Sequence, residues 1–262
     1  MRVALARSSI LRPSDETRHL PAGSPVGMSD GEMRIIPVVG MPEVSPGSKL
    51  AEMIFAHARL EDGDVVVVTQ KIVSKAEGRL VKFESSDEAA ERRRLIAAES
   101  SIVLRRRGDL QIVQTRHGFV CANAGIDLSN VPAGYALLLP VDADRSARRL
   151  RRRLAVLCGV DVAVVISDTF GRPWRRGVVD VAIGCAGVGA IEDLRGKADS
   201  TGRTLQGTEI CTVDEVAAAA ELVMGKTSGV PVAIVRGLAR ELFRESSVAA
   251  EVVRPAREDL FR

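Results

Sequence analysis

Aromatic side chains are scarce in this sequence, at 3% of 262 residues, with one tryptophan and one tyrosine. Proteins that grip single-stranded nucleic acid stack bases on such rings, so that class is disfavoured. Histidine is rarer than expected too, with three copies. His19 falls in the N-terminal stretch, His57 in a helical pattern, and His117 just before Gly118. No Ser–His–Asp or Cys–His unit can be assembled from them, which leaves nucleophilic hydrolase chemistry without support. The four cysteines, Cys121, Cys158, Cys185 and Cys211, include no CxxC pair. They read as reduced thiols of a cytoplasmic protein, not as a zinc site or a disulfide frame. No apolar run approaches the ~18 residues of a membrane span, and no apolar segment suits a secretory signal. Charge of one sign is nearly absent in the balance, which is +3. The arginines are nevertheless clustered at 92–94, 105–107 and 148–153. Solvated helix faces are the ordinary reading of such runs. Small phosphate-bearing ligands come next and a nucleic-acid groove third.

What is present is ample core material, with 46% hydrophobic residues, drawn mainly from Val, Leu, Ile and Ala. Residues 1–32 stand apart. They are rich in Ser, Pro, Gly and Asp without period and read as a disordered leader or a mis-set start, with Met33 the expected functional start. From Met33 helix and strand signals alternate. MRIIPVVG is a short strand, residues 48–59 carry helical spacing, and 65–68 form a β-branched run buried on both faces. Ser85 or Ser86 is expected to cap a helix running to Arg107. Residues 110–115 and 118–121 suggest a hairpin. Asp142 opens an arginine-rich helix ending at Gly159. A strand at 163–166 is expected to stop at Ser167-Asp168-Thr169. The glycine-rich run 178–188 suits a strand with close backbone approaches. An alanine-rich helix at 213–224 and a strand at 230–235 follow. The expected class is α+β, with mixed sheets and flanking helices. The connections 170–177 and 190–207 are long enough to suggest function.

Several constellations carry chemistry. Asp168-Thr169 is a carboxylate beside a hydroxyl, a hard oxygen pair suited to Mg²⁺ or Mn²⁺; a simple turn closing the strand is the competing reading. HGFVCANAGIDLSN, from His117 to Asn130, repeats the pattern. Small residues there would let a ligand approach the backbone, and Asp127 and Asn130 could share one turn, although Asp127 could also merely cap it. Two such units make a shared phosphoryl-transfer site more credible than either alone. TQKIVSKAEGR offers Gln70, Lys71, Ser74, Lys75 and Arg79 in one stretch, either phosphate-binding cations or an exposed basic turn. MGKTSG, at 224–229, resembles a Walker loop only superficially, because Ala220 stands where its first glycine should be. The glycines at 184, 187 and 189 likewise lack the strand–GxGxxG–helix setting of a dinucleotide fold. Arg172, Arg175 and Arg176, in SDTFGRPWRRG, suit anionic groups through bidentate pairing. Trp174 between them could cover a flat ring or wedge the loop.

VSKAEGR, FVCANAGIDLSN, SDTFGRPWRRG and DLRGKADSTGRTL, together with the C-terminal REDLFR, resemble the coenzyme F420-0:L-glutamate ligase family. The resemblance runs from about Met33 to the end. It implies a family-specific α+β ligase fold, an intertwined homodimer and a ligase domain over 33–262. It further implies GTP-dependent, divalent-metal-dependent addition of γ-linked L-glutamate to the deazaflavin cofactor precursor F420-0. Asp127 and Asp168 correspond to ligands of one Mg²⁺ or Mn²⁺ ion and Thr169 to a ligand of a second, with K⁺ as a further candidate ion. Gln70, Lys71, Lys75 and Asn130 match nucleotide contacts, as do Met41, Pro42, Glu43 and Val44. Met224, Gly225 and Lys226 occupy a further nucleotide-contacting position. A protonated Lys226 cannot ligate metal, so the second metal shell is expected to differ here. Asp127, Asp168 and Lys75 are the expected catalytic residues, and the three arginines are assigned to the anionic substrates. The chain ends soon after these motifs, as expected of the stand-alone form without FMN. Neither nucleic acid nor membrane is expected as a partner. The rival readings are a ligase of the same fold with another anionic acceptor, and a nucleotide-binding protein without turnover.

Overall fold

The computed structural model describes residues 32–261. The expected leader, residues 1–32, lies outside the described residues except for Glu32, as does His19. In chain order the elements are β1 (Arg34–Pro37), α1 (Leu50–His57), β2 (Val65–Thr69), α2 (Gln70–Ala76), β3 (Leu80–Lys82) and α3 (Glu88–Glu99). Then come β4 (Ser100–Arg107), β5 (Leu110–Thr115), β6 (Val120–Ala122), β7 (Tyr135–Leu137), α4 (Ala143–Cys158) and β8 (Ala163–Arg172). The last are β9 (Arg175–Ala186), β10 (Glu192–Asp193), β11 (Glu209–Ile210), α5 (Thr212–Met224), β12 (Val232–Arg236) and α6 (Val248–Glu251). The class is mixed α+β, as expected.

The central sheet has the order β1-β12-β2-β8-β9, with β2 and β8 parallel and the other pairs antiparallel. The four valines of β2 are buried on both faces. Val66 and Val68 join Val164 and Ile166 of β8 against α1, α2 and α4. Val65 and Val67 join Ala163 and Val165 against α5 and α6. A β-branched run without polar alternation is what a strand covered on both sides requires. The helix α4 is bounded as its sequence indicates. Asp142 caps it by accepting from Arg145 N at 2.8 Å, and Gly159 ends it at φ 69°. Gly184 of β9 is the clearest close approach, because a Cβ there would lie 2.4 Å from the carbonyl carbon of Ala143.

Two expected elements differ. The helix expected to reach Arg107 stops at Glu99, and its cap is Asp87 rather than a serine. Residues from Ser100 onward pair with β5 instead. Ile102 and Val103 favour an extended chain, and the hairpin gives them a partner. The strand expected to stop at Ser167 runs on to Arg172 and turns at Pro173-Trp174 into β9. The segment 170–177 is therefore a hairpin tip, not a long loop. What does end at this level is β2, whose Thr69 pairs with Ser167 before the chain turns into α2. Beyond that pair β8 keeps β9 on one edge and loses β2 on the other. The apolar run stops where the second neighbour stops.

The arginine clusters lie on separate elements, α3, β4 and α4. On α4, Arg151 reaches Asp161 at 2.9 Å and Arg153 reaches Glu52 at 2.7 Å. Among the described residues no helix is long and apolar enough to cross a membrane.

Candidate functional site

The free edge of β8 opens a cavity of about 200 Å³. Asp168 and Thr169 line it from β8, Asp127 from the turn before β7, and Gln70 and Lys71 from α2. The two carboxylates expected to converge do so. The stretch holding Asp127 is shaped by three residues in left-handed backbone, Asn123, Ala124 and Gly125. Small residues there serve the turn itself: a Cβ on Gly125 would lie 2.9 Å from Leu139, and Ala124 is buried. The same stretch, through Ala122, Gly125 and Ile126, also lines a space of about 220 Å³ beside Asp127 and Asp168. Asp127 is anchored to Leu137 by a pair of backbone hydrogen bonds of 2.9 Å. Its Oδ1 accepts from Ser129 N and Oγ, both at 2.7 Å, while its Oδ2 pairs with Lys71. One carboxylate oxygen thus closes the turn and the other faces the cavity.

TQKIVSKAEGR is a helix, not an exposed turn. On α2, Lys71 and Lys75 are four apart and share a face. Lys71 Nζ donates to Ser129 Oγ at 2.9 Å, and Lys75 Nζ reaches Glu43 Oε1 at 2.5 Å. Gln70 is buried and donates through Nε2 to Ser74 Oγ at 2.8 Å and Leu138 O at 3.2 Å. Its Oε1 is buried with no partner. A buried acceptor on a cavity wall without a donor is a costly arrangement that a ligand can relieve.

A third carboxylate belongs to this site. Asp180 of β9 pairs across the hairpin with Thr169 and is only 1% exposed. Its Oδ2 accepts from Ser167 Oγ at 2.9 Å, and its Oδ1 accepts from Thr169 Oγ1 at 2.5 Å and Lys226 Nζ at 3.1 Å. Because Thr169 spends its only proton on Asp180, its oxygen can meet any other group only as an acceptor. Lys226 already sits against that oxygen. Glu221, near the end of α5, lies 3.5 Å from Lys226. Asp180 belongs to none of the motifs singled out above. The signal was available: a lone carboxylate inside VVDVAIG is out of place in a strand of that polarity.

Burial pushes the Asp168 carboxyl up to about 7, and nearby Asp180 adds to this while Lys71 and Lys226 oppose it. Burial also raises Glu221, with Asp180 again contributing. Burial likewise pushes Lys71 down, and Lys226 and Lys75 add to this, so charges of both signs are held here at a cost that a ligand can relieve. Among the described residues no three His, Cys, Asp or Glu side chains are placed to enclose a metal ion. The donors fit a different mode. Two carboxylates and an oriented hydroxyl suit a hard divalent ion that keeps water and phosphate oxygens in its remaining positions, as magnesium commonly does.

The cavity opens into a larger cleft of about 460 Å³, sharing Thr69, Lys71, Asn130 and Lys226 with it. Met41, Pro42, Glu43 and Val44 form one wall of the cleft, with Lys75 beside them. Gly225, Lys226, Thr227 and Gly229 form another. Met224, by contrast, is fully buried in the core under α5 and does not reach the cleft. Arg172, Arg175 and Arg176 sit at the hairpin tip and line none of the cavities holding the carboxylates. Arg172 Nη2 donates to Arg176 O at 3.3 Å. Trp174 between them is 83% exposed, its ring 5.1 Å from that of Phe261. His57 is tied to Met53 O at 2.8 Å within α1, and the cysteines are free thiols.

The F420-0:gamma-glutamyl ligase family model matches residues 39–237. The coenzyme F420:L-glutamate ligase of Methanopyrus kandleri is 46% identical over 88% of this chain and 98% of its own length. Those of Methanothermobacter thermautotrophicus and Archaeoglobus fulgidus are each 44% identical, over 87% and 88% of this chain and 98% and 96% of theirs. The matched region contains the carboxylate cavity and the lysine-lined cleft entire, and on these matches the chain belongs to the F420-0:gamma-glutamyl ligase family.

Proposed function

We infer that this protein adds γ-linked L-glutamate to coenzyme F420-0 in coenzyme F420 biosynthesis, through an acyl-phosphate intermediate and using GTP and divalent metal ions, as a cytoplasmic homodimer. The observation that carries the reading is the meeting of Asp127 and Asp168 in one cavity that opens into a lysine-lined cleft.

A carboxylate is a poor electrophile, so an amide needs an activated acyl group. In the proposed sequence a carboxylate oxygen of the acceptor attacks the γ-phosphorus of GTP, and the bond to the bridging oxygen of GDP breaks. The glutamate amine then attacks the acyl carbon of the acyl phosphate. Inorganic phosphate leaves and the nitrogen loses a proton. Lys71, Lys75 and Lys226 supply point charges for phosphate oxygens along the cleft. Met41, Pro42 and Val44 offer an apolar wall for the base, and Asn130 and Gln70 offer amide groups at the junction. Divalent ions, Mg²⁺ or Mn²⁺, one held by Asp127 and Asp168 and a second by Thr169, would supply charge neutralisation on the transferring phosphoryl group, with K⁺ as an accessory ion. Asp180 holds the Thr169 hydroxyl with its lone pairs outward for that purpose. Loss of one such preorganised contact costs about 3–4 kcal/mol, or roughly 10²–10³ in rate.

The test is mass spectrometry of F420-0 incubated with the purified protein, GTP, Mn²⁺ and L-glutamate. Addition of glutamyl units that requires both GTP and metal supports the reading. Consumption of GTP with another anionic acceptor, and none with F420-0, selects the rival ligase. Nucleotide binding without turnover on any acceptor selects the binding protein.

A further inference from the structure

Lys226 lines both the carboxylate cavity and the cleft. It stands two residues beyond Met224, where α5 ends, and its side chain is half-exposed, so packing does not hold it in one place. Its ammonium nevertheless occupies a defined seat. Nζ donates to Thr169 Oγ1 and, at 3.1 Å, to Asp180 Oδ1, and Glu221 Oε1 lies 3.5 Å away. The oxygens come from β8, β9 and α5, and two of them belong to carboxylates.

Hydroxyl and carboxylate oxygens gathered in this way are the donors that hard metal ions take. A second observation points to a ligand at the same place. Gln70 is 1% exposed and lines the cavity with Thr169, Asp180 and Lys226, yet its Oε1 has no partner. An amide oxygen of that kind accepts from water or ligates a cation directly.

Two demands on Lys226 conflict. The second divalent ion needs the lone pairs of Thr169, against which the ammonium already sits. A dication and an ammonium cannot both touch one hydroxyl oxygen, because like charges in contact repel strongly where water is excluded. The nucleotide phosphates need the same ammonium in the cleft. Its departure alone would leave Asp180 buried with its charge uncompensated, a costly state. Both demands are met if one cation arrives as the other leaves.

We propose that Thr169, Asp180 and Glu221 form a seat for exchangeable cations. Lys226 fills it in the ligand-free protein, and a divalent ion takes it over when nucleotide phosphate draws Lys226 into the cleft. The exchange needs only the rotation of a side chain that already borders both spaces. The second ion and the nucleotide therefore bind cooperatively, each raising the affinity of the other by the same factor. The proposal rests on the ligase reading for its nucleotide and its ion. It adds Asp180 and Glu221 to the second ion's surroundings and makes Lys226 its competitor.

The test counts bound Mn²⁺ by equilibrium dialysis and by the electron paramagnetic resonance of the free ion, with and without the β,γ-imido analogue of GTP. The unaltered protein should hold one Mn²⁺ tightly by itself and a second only with the analogue. Lys226→Met keeps the apolar stem and removes the charge. It should bind the second Mn²⁺ about tenfold or more tightly without the analogue, as expected when a competitor that holds the seat about nine-tenths of the time is removed. Its affinity for the analogue should fall about tenfold, the loss of one charged contact to phosphate. Lys226→Gln serves in its place if the methionine variant does not fold. A gain shared equally by both ions would be a general effect of charge and would overturn the seat. Two ions held equally tightly with and without the analogue would show that Lys226 does not compete. A second ion that never binds, even with the analogue, would mean that the lysine keeps the seat permanently, and the exchange would be wrong. Glutamylation of F420-0 by the unaltered protein is assayed alongside. Its absence sinks the ligase reading, whereas normal glutamylation with any of those three Mn²⁺ results sinks the exchange alone.

Discussion

Asp144 and Asp180 are both buried carboxylates, yet their surroundings are opposite in kind. Asp144, in the first turn of α4, accepts from three backbone N–H groups, those of Cys185, Val248 and Ala249, at 2.8–3.0 Å. It ties α4, β9 and α6 together and faces no cavity. Asp180 accepts only from side chains, two hydroxyls and an ammonium, and all three line the site. Burial alone therefore does not separate a structural carboxylate from a functional one. The identity of the donors does. Backbone donors cannot leave, whereas hydroxyls and a lysine on a cavity wall can exchange partners when a ligand arrives.

The contrast can be broken first at its structural end. Asp144→Ala would strand three buried N–H groups, at about 1–3 kcal/mol each before relaxation. A net loss of roughly 3–5 kcal/mol is expected, lowering Tm by on the order of 10 °C. A Tm within a degree of the unaltered protein, by calorimetry, would mean that the joint is dispensable. At the functional end, Asp168→Ala should lower turnover by about 10²–10³, the usual cost of one transition-state charge contact, while circular dichroism stays unchanged and Tm does not fall. Wild-type-like ligation by this variant would refute the metal assignment.

Asp180→Asn sharpens the comparison because it keeps shape and removes charge. Lys226 is half-exposed, so water can take over its solvation and stability should change by less than about 1 kcal/mol. Turnover should fall about tenfold or more as the hydroxyl of Thr169 loses its fixed orientation. Equal losses of stability and activity would instead place Asp180 with Asp144. The smallest effect concerns pH. Burial raises the Asp168 carboxyl to about 7, above its unfolded value. Its contribution to stability is thus present below the unfolded value and lost as pH climbs through about 7. Asp168→Asn should therefore match the unaltered, EDTA-treated protein at pH about 4 and exceed it by a margin that grows until pH passes about 7. Parallel melting curves across that range would show that the carboxyl is not strained in the ligand-free site.

Much of this was readable before any coordinates. The valine run of β2, the Asp142 and Gly159 boundaries of α4 and the β5–β6 hairpin each follow from local chemistry. So do the lysines at 71 and 75 and the carboxylates at 127 and 168, although the helix α2 that carries the lysines was not expected. What escaped reading shares a cause. The length of β8 depends on β9 continuing beside it after β2 has turned away, and α3 ends early because a hairpin claims Ile102 and Val103. Asp180, although out of place by polarity, gives no sign of its role in the local sequence, because its hydroxyl partners come from another strand. Met224 looked like part of the nucleotide loop because it is adjacent in sequence, but the helix turns it into the core.

The amino-acid order by itself determined which segments coil or extend and which side chains carry charge, since caps, β-branched runs and turn residues act over a few positions. Only the folded sheet decided that Asp127, Asp168 and Asp180 share one cavity with Lys71 and Lys226, that Lys75 stands in the adjoining cleft, and that the arginines stand at the far end of β8. Those relations depend on strand order and register, which are set by burial between distant segments and by no residue alone.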